Sequence, residues 1–241
     1  MWHNLPNLRG LLLSSLATIG LTAVLAGPAS AANVTWTVWS SFSPGNPGTG
    51  AGSIALPTPV IVGYNGQVLS NSYTGFGPPP AGLYTSWAGN AYFGGTVNNS
   101  PSNTGQVAIS GGPTTGTNTI IFSPAVVNPV MAIWSLGSAN TNPAEFDFTA
   151  SEPFTIESGG PDPLTLGQSI TLGANPNSVT GTEGNGVIQF TGTYSSLTWT
   201  NPDFENDYSF TIGADANVPE PASIGLLGLA SIAALRRRRV G

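Results

Sequence analysis

From residue 10 to residue 235 the chain has no lysine, no arginine and no histidine, and it has no cysteine anywhere. A body without a cationic side chain cannot form a side-chain salt bridge, and one without a thiol cannot form a disulfide. Whatever this sequence folds into must be held by apolar packing and by hydrogen bonds among neutral groups and carboxylates. Ten of the chain's eleven carboxylates share that body: Glu145, Asp147, Glu152, Glu157, Asp162, Glu183, Asp203, Glu205, Asp207 and Asp215. Its formal charge is therefore about −10 by this count.

The same absences close whole classes of function. Nucleic-acid binding draws most of its affinity from Lys and Arg against phosphates, and the body offers neither. A Ser-His-Asp triad needs an imidazole, and a cysteine enzyme needs a thiol. Catalytic zinc usually takes histidine or cysteine, and phosphoryl transfer takes a cationic clamp. Stability must come from packing, since no disulfide can supply it.

All five basic residues and the lone His3 lie near the two ends. At the start, Arg9 precedes an apolar run from Leu11 to about Leu25 and then small residues ending Ala29-Ser30-Ala31. That is the three-part layout of a secretory signal peptide, with Ala29 and Ala31 forming the cleavage site. At the other end, Pro219-Glu220-Pro221 is followed by an apolar, uncharged segment from Ala222 to Leu235 and by Arg236, Arg237, Arg238 and Arg239. As a helix, Ala222 to Leu235 would rise about 21 Å, against roughly 30 Å of hydrocarbon core. Snorkelling arginines would help it span, and their charge would keep them on the cytoplasmic side. Three parts follow: a signal peptide at 1–31, one domain at 32–217, and an anchor at 218–241.

Val218-Pro219-Glu220-Pro221, a short Gly/Ala/Leu/Ile helix and a terminal arginine cluster together resemble the PEP-CTERM sorting signal of exported bacterial proteins. That tail is also known as an ice-binding protein C-terminal domain. The resemblance implies that an exosortase-type transpeptidase recognises Pro219-Glu220-Pro221 and removes the helix and basic tail, after signal peptidase has acted at the other end. It implies anchoring in the membrane through the C-terminal helix, then display at the cell surface or in an exopolysaccharide matrix.

The body reads as all-β. Val34 to Trp39, Asn118 to Phe122, Val130 to Leu136 and Glu145 to Thr149 are rich in β-branched and aromatic residues. In the last of these, Phe146 and Phe148 fall on one face and Glu145 and Asp147 on the other, as a strand with one buried face requires. Asn185-Gly186 just before Val187 to Phe190 signals a hairpin, and GTYSSLTWT and DYSFTIG supply two further strands. The expected architecture is a two-layer β-sandwich, most simply a jelly roll, of about eight to twelve strands. From Ser43 to Thr117, Pro- and Gly-rich clusters predict long irregular loops.

Three groups of residues are candidate sites. Asp203, Glu205 and Asp207 would share one face of an extended segment, and a hard, oxygen-seeking ion such as calcium would relieve their repulsion. The spacing matches no defined calcium loop, so a solvated acidic face is the simpler reading. Trp87 and Tyr92 lie in Gly-rich surroundings, are expected to be the better exposed aromatics, and could stack on sugar rings. Trp134 and Trp199, in apolar strands, are expected in the core. Glu145, Glu152, Glu157 and Glu183 could supply a glycosidase pair, but no spacing picks out an acid and a nucleophile. Threonines alternate only in short pieces, Thr35/Thr37 and Thr115/Thr117/Thr119, with no long ladder. The expectation is a non-enzymatic structural or adhesive surface protein, with carbohydrate binding as its concrete form. A carboxylate-based glycosidase and a calcium-dependent adhesin are the alternatives.

Overall fold

The computed structural model describes residues 31–75, 87, 89–102, 105–139, 142–163 and 166–215. The sorting tail and all of the signal peptide except Ala31 lie outside the described residues, as does the expected membrane helix. Among the described residues, no helix is long and apolar enough to cross a membrane.

The described chain is all-β, with fifteen strands and one 3-10 turn at Asn90–Tyr92. The first strands are β1 (Val34–Trp36), β2 (Val38–Ser43), β3 (Gly45–Ile54), β4 (Val60–Val68) and β5 (Tyr73–Thr74). β6 (Gly105–Ile109), β7 (Thr117–Val127), β8 (Val130–Leu136), β9 (Ala144–Phe148) and β10 (Phe154–Gly159) follow. β11 (Thr171–Leu172), β12 (Ser178–Gly181), β13 (Gly184–Phe190), β14 (Thr193–Thr200) and β15 (Tyr208–Asp215) complete the set.

Two antiparallel sheets result. One runs β10-β13-β8-β15-β6-β5, with β1 also paired to β15; the other runs β11-β12-β9-β14-β7-β4-β3-β2. Their inner faces share one core. Phe210 of β15 packs edge-on against Trp199 of β14 at 5.2 Å between ring centroids, Tyr64 of β4 at 5.4 Å and Phe146 of β9 at 6.1 Å. Burying each such ring stabilises the fold by about 1.5–3 kcal/mol, and edge-on geometry adds to that.

A second, smaller apolar cluster covers the outer face of the seven-stranded sheet. There Val34, Trp36, Trp87, Ala91, Tyr92 and Val97 pack over Val130, Ala132 and Val187. With both faces covered, β8 and β15 are buried almost throughout, which explains why Val130 to Leu136 is a continuous apolar run. In the other sheet β9 alternates as its sequence predicts, with Phe146 and Phe148 buried and Glu145 and Asp147 half-buried.

Three expectations need correction. The strands number more than eight to twelve. The stretch Pro44-Gly45-Asn46-Pro47-Gly48, expected as irregular, runs into the ten-residue strand β3, and β4 to β6 also fall in the region expected to be loops. The inward glycines of β3 sit where neighbouring atoms leave no room for a side chain: Val68 and the Ser43 carbonyl at Gly48, Thr37 and the Val38 carbonyl at Gly52, and the Phe42 and Trp39 rings at Gly50. A Cβ on Gly50 would stand 2.8 Å from the Phe42 ring and 3.4 Å from Trp39. Finally, Asn185-Gly186 does not turn a hairpin. The chain turns earlier, at Thr182-Glu183, and crosses from β12 in one sheet to β13 in the other. Asn185 sits inside β13, at an irregularity in its pairing with β8.

Candidate functional site: an acidic corner on a buried amide network

Between β14 and β15 the chain makes a loop, residues 201–207, over the end of β6. Asn201 holds its base and is 1% exposed. Its Oδ1 accepts from Asn118 Nδ2 and from the Trp199 indole N–H, both at 2.9 Å, while its Nδ2 donates to the Glu145 carbonyl at 2.7 Å. Asn118 in turn accepts from the Tyr64 hydroxyl at 2.6 Å and from the Gln67 backbone N–H at 3.0 Å. Gln67 Oε1 accepts from the Ser110 and Gly111 amides at 2.7 and 2.9 Å, and its Nε2 donates to Ser110 Oγ at 2.9 Å. Two backbone bonds then tie the loop down: Gly112 N–H to the Asn201 carbonyl at 2.9 Å and Glu205 N–H to the Ser110 carbonyl at 2.8 Å. A buried network of amides does here what ion pairs cannot do in a chain without cations.

On this base stand the acidic residues. Asp203 is exposed, Glu205 is buried and Asp207 is half-buried. Asp207 Oδ2 accepts from the side-chain amide of Asn71. Glu205 Oε2, Asp207 Oδ1 and the Tyr208 hydroxyl are buried without a hydrogen-bond partner. Burial pushes the Glu205 carboxyl up to about 7, despite backbone hydrogen bonds from Asp207 and Asn206 that oppose the shift, and the charges of Glu183 and Asp207 add to it. Burial likewise lifts Asp207 to about 6, with the Asn71 hydrogen bond opposing. The Tyr208 hydroxyl is raised well above its ordinary range, first by burial and then by the charges of Glu205 and Asp203.

The structure brings Glu205 and Asp207 into one corner and leaves the Asp203 side chain in solvent. Among the described residues, no three acidic side chains converge as a metal-binding group. Gly111 is needed at this corner. Its φ is +64°, and a Cβ there would stand 2.4 Å from the Asp203 carbonyl oxygen, 2.5 Å from the Tyr208 hydroxyl and 3.1 Å from the Asn201 carbonyl.

Trp87 and Tyr92 lie elsewhere and inside. They are 7% and 0% exposed and pack edge to face at 5.1 Å. The expectation that they are exposed is therefore corrected. Their Gly-rich surroundings signal a layer packed close on the outer face of the seven-stranded sheet, not a free rim. The Tyr92 hydroxyl lies 3.1 Å from Asp162 Oδ2 and 3.2 Å from Asn185 Oδ1. Burial, then the Asp162 charge and hydrogen bond, raise its pKa well above the ordinary range. Trp199 is in the core as expected, and Trp134 is partly buried against the second cluster.

Three of the four candidate glutamates hold backbone or hydroxyl groups. Glu152 accepts from the Thr149 amide at 3.1 Å, the Thr149 hydroxyl at 2.7 Å and the Thr198 amide at 2.7 Å. Glu157 accepts from the Thr96 amide at 2.8 Å and the Thr155 hydroxyl at 2.5 Å. Glu183 accepts from the Ser135 hydroxyl at 2.6 Å. Glu145 is half-buried on β9, and its carbonyl receives the Asn201 amide.

The outer face of the eight-stranded sheet was not legible as a site in the sequence. In register across β3, β4, β7 and β14 lie Thr49, Asn65, Thr119 and Thr198, beside a second row of Ala51, Gly63, Ile121 and Ser196. Ile61, beside this second row, is 68% exposed and Ile121 is 51% exposed, and no residue of these rows is charged.

Residues 217–239 match the PEP-CTERM protein-sorting motif. The chain thus carries an export and membrane-sorting signal of the kind that exosortase processes, on an all-β body of two antiparallel sheets. No curated protein and no solved structure matches the chain.

Proposed function

We propose that the protein is a structural or adhesive component of the cell surface or extracellular matrix. It would be made with a signal peptide cleaved after Ala31, and held at the membrane by the segment from Ala222 to Leu235. Exosortase then releases it at Pro219-Glu220-Pro221. The body is a jelly-roll-like sandwich without catalytic function. The observation that carries this reading is the sorting motif at residues 217–239.

Adhesion to neutral matrix polysaccharide is supported by the uncharged rows that β3, β4, β7 and β14 present on the outer face of the eight-stranded sheet. Their threonine hydroxyls and the Asn65 amide offer hydrogen bonds, and Ile121 with the neighbouring Ile61 offers apolar contact.

The test of sorting is expression in the native host with an epitope tag before Val218, with and without Pro219-Glu220-Pro221→Ala. The expected result is a loss of mass at the tail and release from the inner membrane, both blocked by the substitution. A tail that persists unchanged in both forms would make it a plain anchor and sink the exosortase step.

A further inference from the structure

Six buried side-chain polar atoms among the described residues lack a hydrogen-bond partner, and three of them belong to Glu205, Asp207 and Tyr208. Clustering of half the exceptions within one short segment points to a missing partner, since buried polar atoms are otherwise almost always paired. Two of the three are carboxylate oxygens, Glu205 Oε2 and Asp207 Oδ1, and a buried carboxylate is normally paired with a cation or coordinated to a metal. Lysine, arginine and histidine are all absent between residues 10 and 235. Any cationic partner for the ionised corner therefore has to come from outside the body. The third atom, the Tyr208 hydroxyl, belongs to a side chain with 0% exposure and lies close enough to Glu205, and to the exposed Asp203, to feel their charges. Neutral oxygens crowd the same place, because the Asp203 carbonyl and the Tyr208 hydroxyl both stand against the bare Cα of Gly111.

We propose that this corner holds one hard divalent cation of the calcium type, with Glu205 Oε2 and Asp207 Oδ1 as its anionic ligands. The Tyr208 hydroxyl and the Asp203 carbonyl face the same site as neutral oxygens, and water completes the shell. This differs from the ligand set expected from sequence, in which the Asp203 side chain would be a third carboxylate. Calcium accepts such mixed and irregular oxygen sets, with six to eight ligands that include carbonyls and water. Because loop 201–207 enters β15, which pairs with β8, β6 and β1, the bound ion would brace the middle of the seven-stranded sheet. The proposal is independent of how the tail is processed.

The test uses the full-length protein stripped with a chelator and held at neutral pH. Millimolar calcium is expected to raise Tm by about 5 °C, the shift that ligand in roughly ten- to hundredfold excess over Kd gives a domain of this size. Terbium, as a calcium probe, should show tyrosine-sensitised luminescence that calcium displaces. Glu205→Gln and Asp207→Asn should each abolish both responses, Tyr208→Phe should weaken the luminescence, and Asp203→Asn should leave both intact. If calcium neither moves Tm nor displaces terbium from the wild-type protein, the site does not exist. If both responses survive Glu205→Gln and Asp207→Asn but fail in Asp203→Asn, the ion sits on the exposed loop and the buried corner is not its site.

Discussion

Asn118 on β7 and Asn201 at the end of β14 face one another in the buried interior, with the carboxamide of Asn118 donating to that of Asn201 at 2.9 Å. Each amide also serves other strands, so this one bond joins the Tyr64 hydroxyl and the Gln67 amide to the Trp199 indole and the Glu145 carbonyl. Removing Asn118 strips a partner from three buried polar groups at once. Asn118→Ala should therefore destabilise by about 2–4 kcal/mol, more than a typical substitution, because orphaned buried groups cost about 1–3 kcal/mol each and only some find another partner. Urea unfolding would measure it. A loss under about 0.5 kcal/mol, the size of an ordinary surface change, would mean that the network does not hold the loop.

Phe210 is the ring through which the seven-stranded sheet meets Tyr64, Trp199 and Phe146 of the other. Phe210→Ala should cost about 3–5 kcal/mol from lost transfer and the cavity left behind. Ile61→Ala, on the open outer face, should stay within about 0.5 kcal/mol. Equal effects in thermal melts would contradict the assignment of inner and outer faces.

Glu152 sits in a turn with three hydrogen bonds converging on its carboxylate, from the Thr149 amide, the Thr149 hydroxyl and the Thr198 amide. It therefore belongs to the scaffold. Glu152→Gln should cost about 1–3 kcal/mol by turning one acceptor into a donor that faces donors. Chemical denaturation of the variant checks it, and unchanged stability would return Glu152 to the pool of acids free for chemistry.

Much of this was legible in the sequence, for reasons that can be traced to particular residues. Val130 to Leu136 is an unbroken apolar run because both faces of β8 are covered, and Glu145 to Phe148 alternates because β9 has one covered face. Strand chemistry is local and can be read. The partner of a strand is not local. Val34 to Trp39 reads as one strand, yet the chain changes sheets at Thr37, where its amide bonds to the Ile212 carbonyl while β2 goes on to pair with β3. Gly50 of β3 looked like loop because the Phe42 and Trp39 rings that fill the place of its side chain come from β2. Asn185-Gly186 carried a turn signature, but its amide is spent on the Ser135 backbone at 2.9 Å and the Glu183 carbonyl at 3.0 Å. The acidic corner was half visible. Spacing brought Glu205 and Asp207 together, but only the folded loop shows that Glu205 is buried while Asp203 is exposed. The row Thr49, Asn65, Thr119, Thr198 runs across strands, so no search along the chain could find it.

Ionic strength should act on this protein in the opposite direction from that seen where salt bridges stabilise. The body has carboxylates and no cationic side chains, so electrostatics between its side chains is repulsion alone. Screening lengths fall from about 10 Å at 0.1 M salt to about 3 Å at 1 M, which weakens that repulsion. Raising sodium chloride in chelator-treated samples should raise Tm, and the sign of the change is the readout. A fall would require stabilising ion pairs that the body's composition cannot provide.

Without bound cations, Glu205 and Asp207 should make the fold less stable as pH rises. Their folded carboxyls are lifted to about 7 and about 6, against ordinary values of 4.5 and 3.8. Between those limits the native state holds more protons than the unfolded chain, so unfolding stability declines with increasing pH. Their contribution is fully present below the ordinary carboxylate range and is lost by the time pH has passed about 7. General repulsion among the other carboxylates slopes the same way, so wild-type melts alone cannot assign the effect. The Glu205→Gln/Asp207→Asn double variant can, because it keeps the shape of the corner and removes both protons from the balance. Its Tm should vary less than wild type between pH 5 and pH 8, and wild type in calcium should be flattened in the same way. Parallel slopes in the two proteins would show that the carboxyls titrate alike in the folded and unfolded chains, and that the corner is open to water.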